Sequence, residues 1–209
     1  MQPVRPAFVV ALVTIGVLTL LGSGRLGLLH GQARFLMVTM PKTSVKLYPA
    51  HDAWAAYLPA PNACAESTNA SAAPVIANRA MICVLNYARV RAGLTPLRVS
   101  PLLNHSARLK AYDIIRCGQF THAACGKDPH AVAEEAGYPQ VSWGENLALS
   151  PGPFAAARVA ADGWLNSDHH RENLFDPRWT EQGIAEVVVP EFQGRRDVAI
   201  WVSEFGAKP

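Results

Sequence analysis

With 209 residues, half of them hydrophobic, the chain has enough apolar mass for the core of one ordinary domain and little for a second. Its formal charge is +3, but Arg5 and Arg25 are the only charged groups in the first 33 residues, and the remainder is nearly neutral, with 17 basic against 16 acidic side chains. No Lys/Arg stripe interleaved with aromatics occurs, which sets nucleic acid aside as a partner.

After Arg5, residues Ala7 to Leu21 are apolar apart from Thr14, Gly16 and Thr19. A run of this length suits the core of a signal peptide better than a full membrane span, although Leu26 to Leu29 resume it beyond Arg25. Residues 1–33 therefore read as a signal peptide or an N-terminal membrane anchor. Either one places the rest of the chain on the extracytoplasmic side. Residues 34–75, rich in Ala, Pro, Ser and Asn without periodicity, read as a linker. Asn69-Ala70-Ser71 has the glycosylation pattern, a tripeptide common by chance.

Cys64, Cys83, Cys117 and Cys125 are even in number and lack Cys-x-x-Cys spacing, so disulfides are expected of an exported chain. Of the three connectivities, the two local pairs are preferred: Cys64 with Cys83, and Cys117 with Cys125. The second would enclose Phe120-Thr121-His122.

Met81, Ile82, Leu85 and Ala88 recur at helical spacing, and Gly93 suits the left-handed position after a helix. Ser100-Pro101 pairs an N-cap with proline at the first helical position, opening a second helix with Leu103, Ala107, Lys110, Ala111 and Ile114 on its stripe. His105 lies off that stripe and reads as a surface histidine. A short strand is expected around Glu145 to Leu149. Ser150-Pro151 repeats the start signal for a third helix, with Phe154, Ala157, Ala161, Trp164 and Leu165 on its buried face, ending before His169. Gln182 to Val189 and Val198 to Phe205 read as strands, and Pro190 to Arg196 as the loop joining them. Both alternating sets of the second strand are largely apolar, so it should be covered on both faces. The expected fold is α/β, with a sheet sandwiched between helices.

Several short motifs resemble those of one family. They are Leu85-Asn86-Tyr87-Ala88-Arg89, Gly93-Leu94-Thr95-Pro96-Leu97, Phe120-Thr121-His122, Gly137-Tyr138, Trp143-Gly144-Glu145-Asn146-Leu147-Ala148, Trp164-Leu165-Asn166-Ser167, His170-Arg171-Glu172-Asn173-Leu174, Gly183-Ile184-Ala185 and Trp201. In their order they resemble the CAP superfamily of cysteine-rich secretory proteins, antigen 5 and pathogenesis-related proteins, in its compact bacterial form. The resemblance implies a three-layer α/β/α sandwich over residues 76–209. It also implies a cleft where His122, Glu145 and His170 converge. Many members carry a second acid where this chain has Ser167; Asp168, Glu172, Glu186 and Glu204 are the candidates to replace it.

Two imidazoles and a carboxylate could bind zinc or another divalent cation with a water position left open. They could equally form a hydrogen-bonded network that orders the cleft walls without metal or turnover. If Glu145 is a ligand, no acid of the motif remains as general base, and Ser142, Ser150 and Ser167 lack a Gly-x-Ser-x-Gly elbow. His130 and His169 read as surface histidines, and Trp143, Trp164, Trp179 and Trp201 as packing rather than a glycan platform. Asn146 and Asn173 are expected to bond backbone. Glu186 shares a strand face with Ile184 and Val188, so its carboxylate should meet an arginine or face the cleft. The resemblance implies an envelope protein that binds a small apolar ligand, a lipid or sterol, or an envelope component. The alternative is a metal-dependent hydrolase acting on peptide or cell-wall polymer.

Overall fold

The computed structural model describes residues 53–139 and 142–207, all within one unit that spans Lys46–Pro209. The expected leader, its membrane anchoring and residues 34–52 of the expected linker lie outside the described residues. Among the described residues no helix is long and apolar enough to cross a membrane.

Proline opens three helices, where its missing N–H costs nothing and its fixed φ fits the first turn. α1 runs Pro74–Arg91, α2 Pro101–Cys117 and α3 Pro129–Glu135. Ser100 caps α2 as the sequence predicts, its hydroxyl accepting from the Leu103 N–H, and Gly118 closes the helix at φ 64°. Gly93 takes φ 75° just past α1. Two more short helices follow, α4 over Ala157–Leu165 and α5 over Asp168–Leu174.

Four strands, β1 (Arg98–Val99), β2 (Ser142–Pro151), β3 (Glu181–Phe192) and β4 (Arg195–Ala207), form one sheet in the order β1-β3-β4-β2. β1 runs parallel to β3; the other pairings are antiparallel. β4 is central, and its two faces serve two cores. Val198, Ile200 and Val202 pack with Ala107, Ala111 and Ile114 of α2, while Ala199, Trp201 and Phe205 pack with Met81, Leu85, Trp164 and Leu165 of α1 and α4. The three-layer α/β/α sandwich is thus observed, with the period-2 alternation of β4 supplying both interfaces.

Some boundaries differ from expectation. Ser150 and Pro151 end β2, paired with Ala199 and Val198, and do not begin a helix. The chain then makes a 3₁₀ turn over Gly152–Ala155, which leaves Phe154 61% exposed instead of buried. The joining loop is shorter than expected: Phe192 pairs with Arg195, and Gln193 and Gly194, both at positive φ, make a two-residue hairpin turn. The His-rich segment is itself helical, as α5. Residues 53–73, expected within the linker, are packed: the rings of Trp54 and Tyr57 meet Phe175 at tilted angles, and Cys64 is bonded to Cys83 on α1. The second disulfide joins Cys117 to Cys125.

Arg89 on α1 is 1% exposed, and its guanidinium donates to the carbonyls of Thr95, Leu174 and Asp176. Leu174 is the last residue of α5, so the cation sits where the helix dipole favours it. Burial lowers its pKa, with the nearby Asp176 charge opposing. Arg89→Met keeps the apolar volume but strands three acceptors. It should lower stability by about 3 kcal/mol. Urea denaturation would show this as a lower midpoint, and an unchanged midpoint would refute the role.

Candidate functional site

The strand period decides which residues of the Gly-Glu-Asn motif face which layer. On β2, Leu147 belongs to the α2 core and Ala148 packs against the α1/α4 core. Glu145 therefore points to the α2 side and Asn146 to the α5 side. β2 is an edge strand, so the two layers meet around it.

On the α2 side, Glu145 Oε1 lies 2.7 Å from His122 Nδ1 and 3.6 Å from Lys110 Nζ. The Glu145 and Lys110 side chains are each 1% exposed, whereas His122 is half-exposed. Lys110 also donates to the His122 carbonyl. One buried ammonium thus neutralises the carboxylate and holds the backbone of the loop that carries the imidazole. The loop is further tied by Cys117–Cys125 and by Lys127, whose Nζ meets Asp113 at 2.8 Å and Glu135 at 2.9 Å. Burial would raise the Asp113 carboxyl, but its pairs with Lys127 and Arg116 hold it below its ordinary range.

On the other side, Asn146 Nδ2 donates to the His170 carbonyl at 2.8 Å, and Asn173 Nδ2 donates to Asn146 Oδ1 at 3.0 Å. Trp179 Nε1 donates to the Asn173 carbonyl at 2.8 Å. Gly144 is required here, because a Cβ would stand 2.4 Å from Asn173 Oδ1 and 3.0 Å from the Trp179 ring. His170 Nδ1 is 2.9 Å from Ser167 Oγ. Burial, then the charges of His122 and His169, lower the His170 pKa and hold its ring toward the neutral form.

The structure therefore joins His122 directly to Glu145, and brings His170 near through Asn146. Both rings are anchored at Nδ1, and neither Nε2 has a hydrogen-bond partner among the described residues. No group of three His, Cys, Asp or Glu among the described residues is placed to hold a metal ion.

None of the four acids replaces the missing one at Ser167. Asp168 is an exposed partner of Arg171, and Glu172 is exposed near His169. Glu204 is the register neighbour of Glu145 but is fully buried, accepting from Ser106 at 2.9 Å and from Trp143 Nε1 at 3.4 Å. Glu186 lies on β3, beyond β4 from this site. Ser167 instead orients His170. Lys110 is the participant that the sequence hides among the residues of a mainly apolar stripe; a lysine within a buried helix face is the available signal. His105 and His169 are exposed as expected, and His130 lies against the Trp143 ring at 4.9 Å. Trp164, Trp179 and Trp201 are core residues. Asn146 bonds backbone as expected, while Asn173 bonds the Asn146 side chain.

Burial raises the Glu204 carboxyl to about 8, with the Ser106 hydrogen bond opposing and the Glu145 charge adding. A folded-state pKa above the unfolded one means that the native state holds the extra proton. Stability from this group is complete below the unfolded pKa near 4.5 and is lost as pH rises towards and through 8. Glu204→Gln should flatten that decline. The check is the change in thermal midpoint between pH 5 and pH 8.5, and equal declines in both proteins would contradict the assignment.

Comparison with known proteins gives a consistent result. The model of the cysteine-rich secretory protein (CAP) family matches residues 83–205. The uncharacterized protein YkwD of Bacillus subtilis is 27% identical over 124 residues, which are 59% of this chain and 44% of YkwD. This chain thus spans less than half the length of that relative. Among solved structures, an extracellular SCP-domain protein from Bacillus anthracis matches with a TM-score of 0.54 at 21% identity, over 65% of this chain and 41% of that one. A cysteine-rich secretory protein from Staphylococcus aureus gives 0.53 at 20%, over 66% and 40%, and an outer surface protein from Borrelia burgdorferi gives 0.51 at 21%, over 62% and 90%. The ordered motifs, the sandwich and a family match over more than half its length together show that the chain belongs to the CAP, or cysteine-rich secretory protein, family.

Proposed function

We propose that this chain is an extracytoplasmic binding protein whose cleft holds a small ligand through the Nε2 atoms of His122 and His170. The observation that carries this reading is the placement of Glu145: a carboxylate 1% exposed, whose Oε1 meets Lys110 and His122 and whose Oε2 is buried, is a fixed support with no oxygen open to solvent water. Two anchored rings with open Nε2 atoms are suited to a hydroxyl or carbonyl on an otherwise apolar molecule, such as a sterol or a neutral lipid. The two disulfides and the extracellular or surface placement of the similar bacterial proteins support a location outside the cytoplasm. The same two Nε2 atoms are the positions at which a divalent cation such as zinc would bind, with water completing its shell.

The full chain should take up a fluorescent sterol saturably, and His122→Ala/His170→Ala should weaken uptake at least about tenfold, the loss of one good polar anchor. Absence of saturable uptake, or uptake indifferent to both substitutions, would remove the proposal. Cleavage of peptide or wall polymer that zinc restores and chelator abolishes, and that the same double variant lacks, would establish the hydrolase in its place.

A further inference from the structure

The two disulfides differ in what they hold. Cys64–Cys83 ties the segment ahead of α1 to that helix, and Cys64 is 2% exposed, within the core that α1 shares with α4. Cys117–Cys125 closes a loop at the surface, with Cys117 exposed and Cys125 partly so. That loop carries His122. The sequence separation of its cysteines is 8, against 19 for the other pair, so chain entropy protects the smaller ring less.

The chemistry of thiol–disulfide exchange also favours opening at the smaller ring. An incoming thiolate attacks one sulfur and expels the other as a thiolate, so exchange needs an accessible sulfur and a place for the departing charge. Cys83 is exposed, but attack there would expel the Cys64 thiolate inside an apolar core, which disfavours the charge. Attack at Cys117 expels Cys125, which is partly solvated. The Asp113 carbonyl lies 3.3 Å from Cys125 Sγ, placed to accept from the thiol once it has taken a proton.

The loop is free to turn at both ends when that bond opens. Gly118 and Gly126 each follow one of the cysteines, at φ 64° and 71°, and Cys125 itself is at φ 60°, a region that disfavours a side chain. The closed ring holds Cys125 there. Outside the loop the chain stays fixed: Lys127 is paired with Asp113 and Glu135, and Ala107, Ala111 and Ile114 of α2 are packed on the sheet. Motion released by reduction is therefore confined to residues 118–126. Within that stretch His122 meets the fixed body through Glu145 at its ring and Lys110 at its carbonyl, and neither group travels with the loop.

We infer that Cys117–Cys125 is a redox latch on His122, closed as the disulfide and opened by a dithiol outside the cytoplasm. The dithiol supplies two electrons and two protons: its own sulfurs join, the Cys117–Cys125 bond breaks, and both cysteines become thiols. His122 then leaves Glu145 more of the time, and its Nε2 loses the direction that the closed loop gives it. The fold is kept, because Cys64–Cys83 stays intact. The latch acts on the placement of the ring, so it holds whatever ligand the cleft takes.

The test begins with the full chain equilibrated in dithiothreitol buffers of graded reduced-to-oxidised ratio, then alkylated and read by mass spectrometry at each cysteine. Cys117 and Cys125 should become alkylated at a ratio at least about tenfold less reducing than Cys64 and Cys83 require. Backbone order parameters from nitrogen-15 relaxation then compare the disulfide form with the form opened at this bond alone. Residues 118–124 should fall from about 0.85 to below about 0.6, while Leu85 and Ala88 of α1 stay near 0.85. Cys117→Ser/Cys125→Ser should match the opened form, and reoxidation of the native chain should restore the rigid loop. Opening of Cys64–Cys83 first, or of both bonds together, would overturn the inference. So would a loop whose order parameters are the same in both forms, or a fall that extends through α1 and makes the bond a support of the whole fold.

Discussion

A carboxylate and an ammonium buried together at the edge of the sheet are the constraint on which the placement of His122 depends. Glu145 comes from β2 and Lys110 from α2, and both side chains are almost wholly removed from water. Such a pair recovers its desolvation cost only with good geometry and extra hydrogen bonds, so it adds little net stability while making any misplacement expensive. Here the extra bonds go to His122, through its ring and its carbonyl. The charge pair therefore converts the packing of α2 on the sheet into the position of an imidazole on a loop. A disulfide spanning the same loop limits how far it can leave.

The second imidazole is placed by the same strand one residue later. Alternation along β2 turns Glu145 to one layer and Asn146 to the other, and Asn146 takes hold of α5 through the His170 carbonyl. Asn173 and Trp179 complete that hold, and Gly144 leaves the space that they occupy. Three consecutive residues of a strand thus organise both helical layers around one edge. This accounts for the composition of the motif: glycine for close approach, an acid for one side and an amide for the other. A charged group in place of the amide would face the backbone of α5 without a counter-ion.

The parts legible in the sequence are those set by local chemistry. The cap at Ser100, the prolines at helix starts, the left-handed glycines and the two local disulfides each involve neighbours in the chain, and the apolar sets of β4 show its two covered faces. Where pairing across the chain decides, the sequence misleads. Ser150-Pro151 has the local form of a helix start, yet ten backbone pairs with β4 hold β2 extended through Pro151. Lys110 falls on a helical stripe whether its ammonium is buried or snorkels to water, and only the position of Glu145, on a strand 35 residues away in sequence, distinguishes them. The fate of Glu186 depends on β1 being too short to cover β3, a length that no residue pattern announces.

The buried acids of the sheet show why the two edges differ in kind. Glu145 has an ammonium and an imidazole, Glu181 has the Tyr138 hydroxyl and Arg98, and Glu204 has Ser106 and Trp143. Each has at least one polar group of the chain to meet it, although Glu145 keeps one buried oxygen without a hydrogen bond. Glu186 keeps one too, and it has no charged partner among the described residues; only its backbone N–H is met, by Asn78. An unmet oxygen is thus common to both edges of the sheet, and what separates them is the buried ammonium that Lys110 supplies to Glu145.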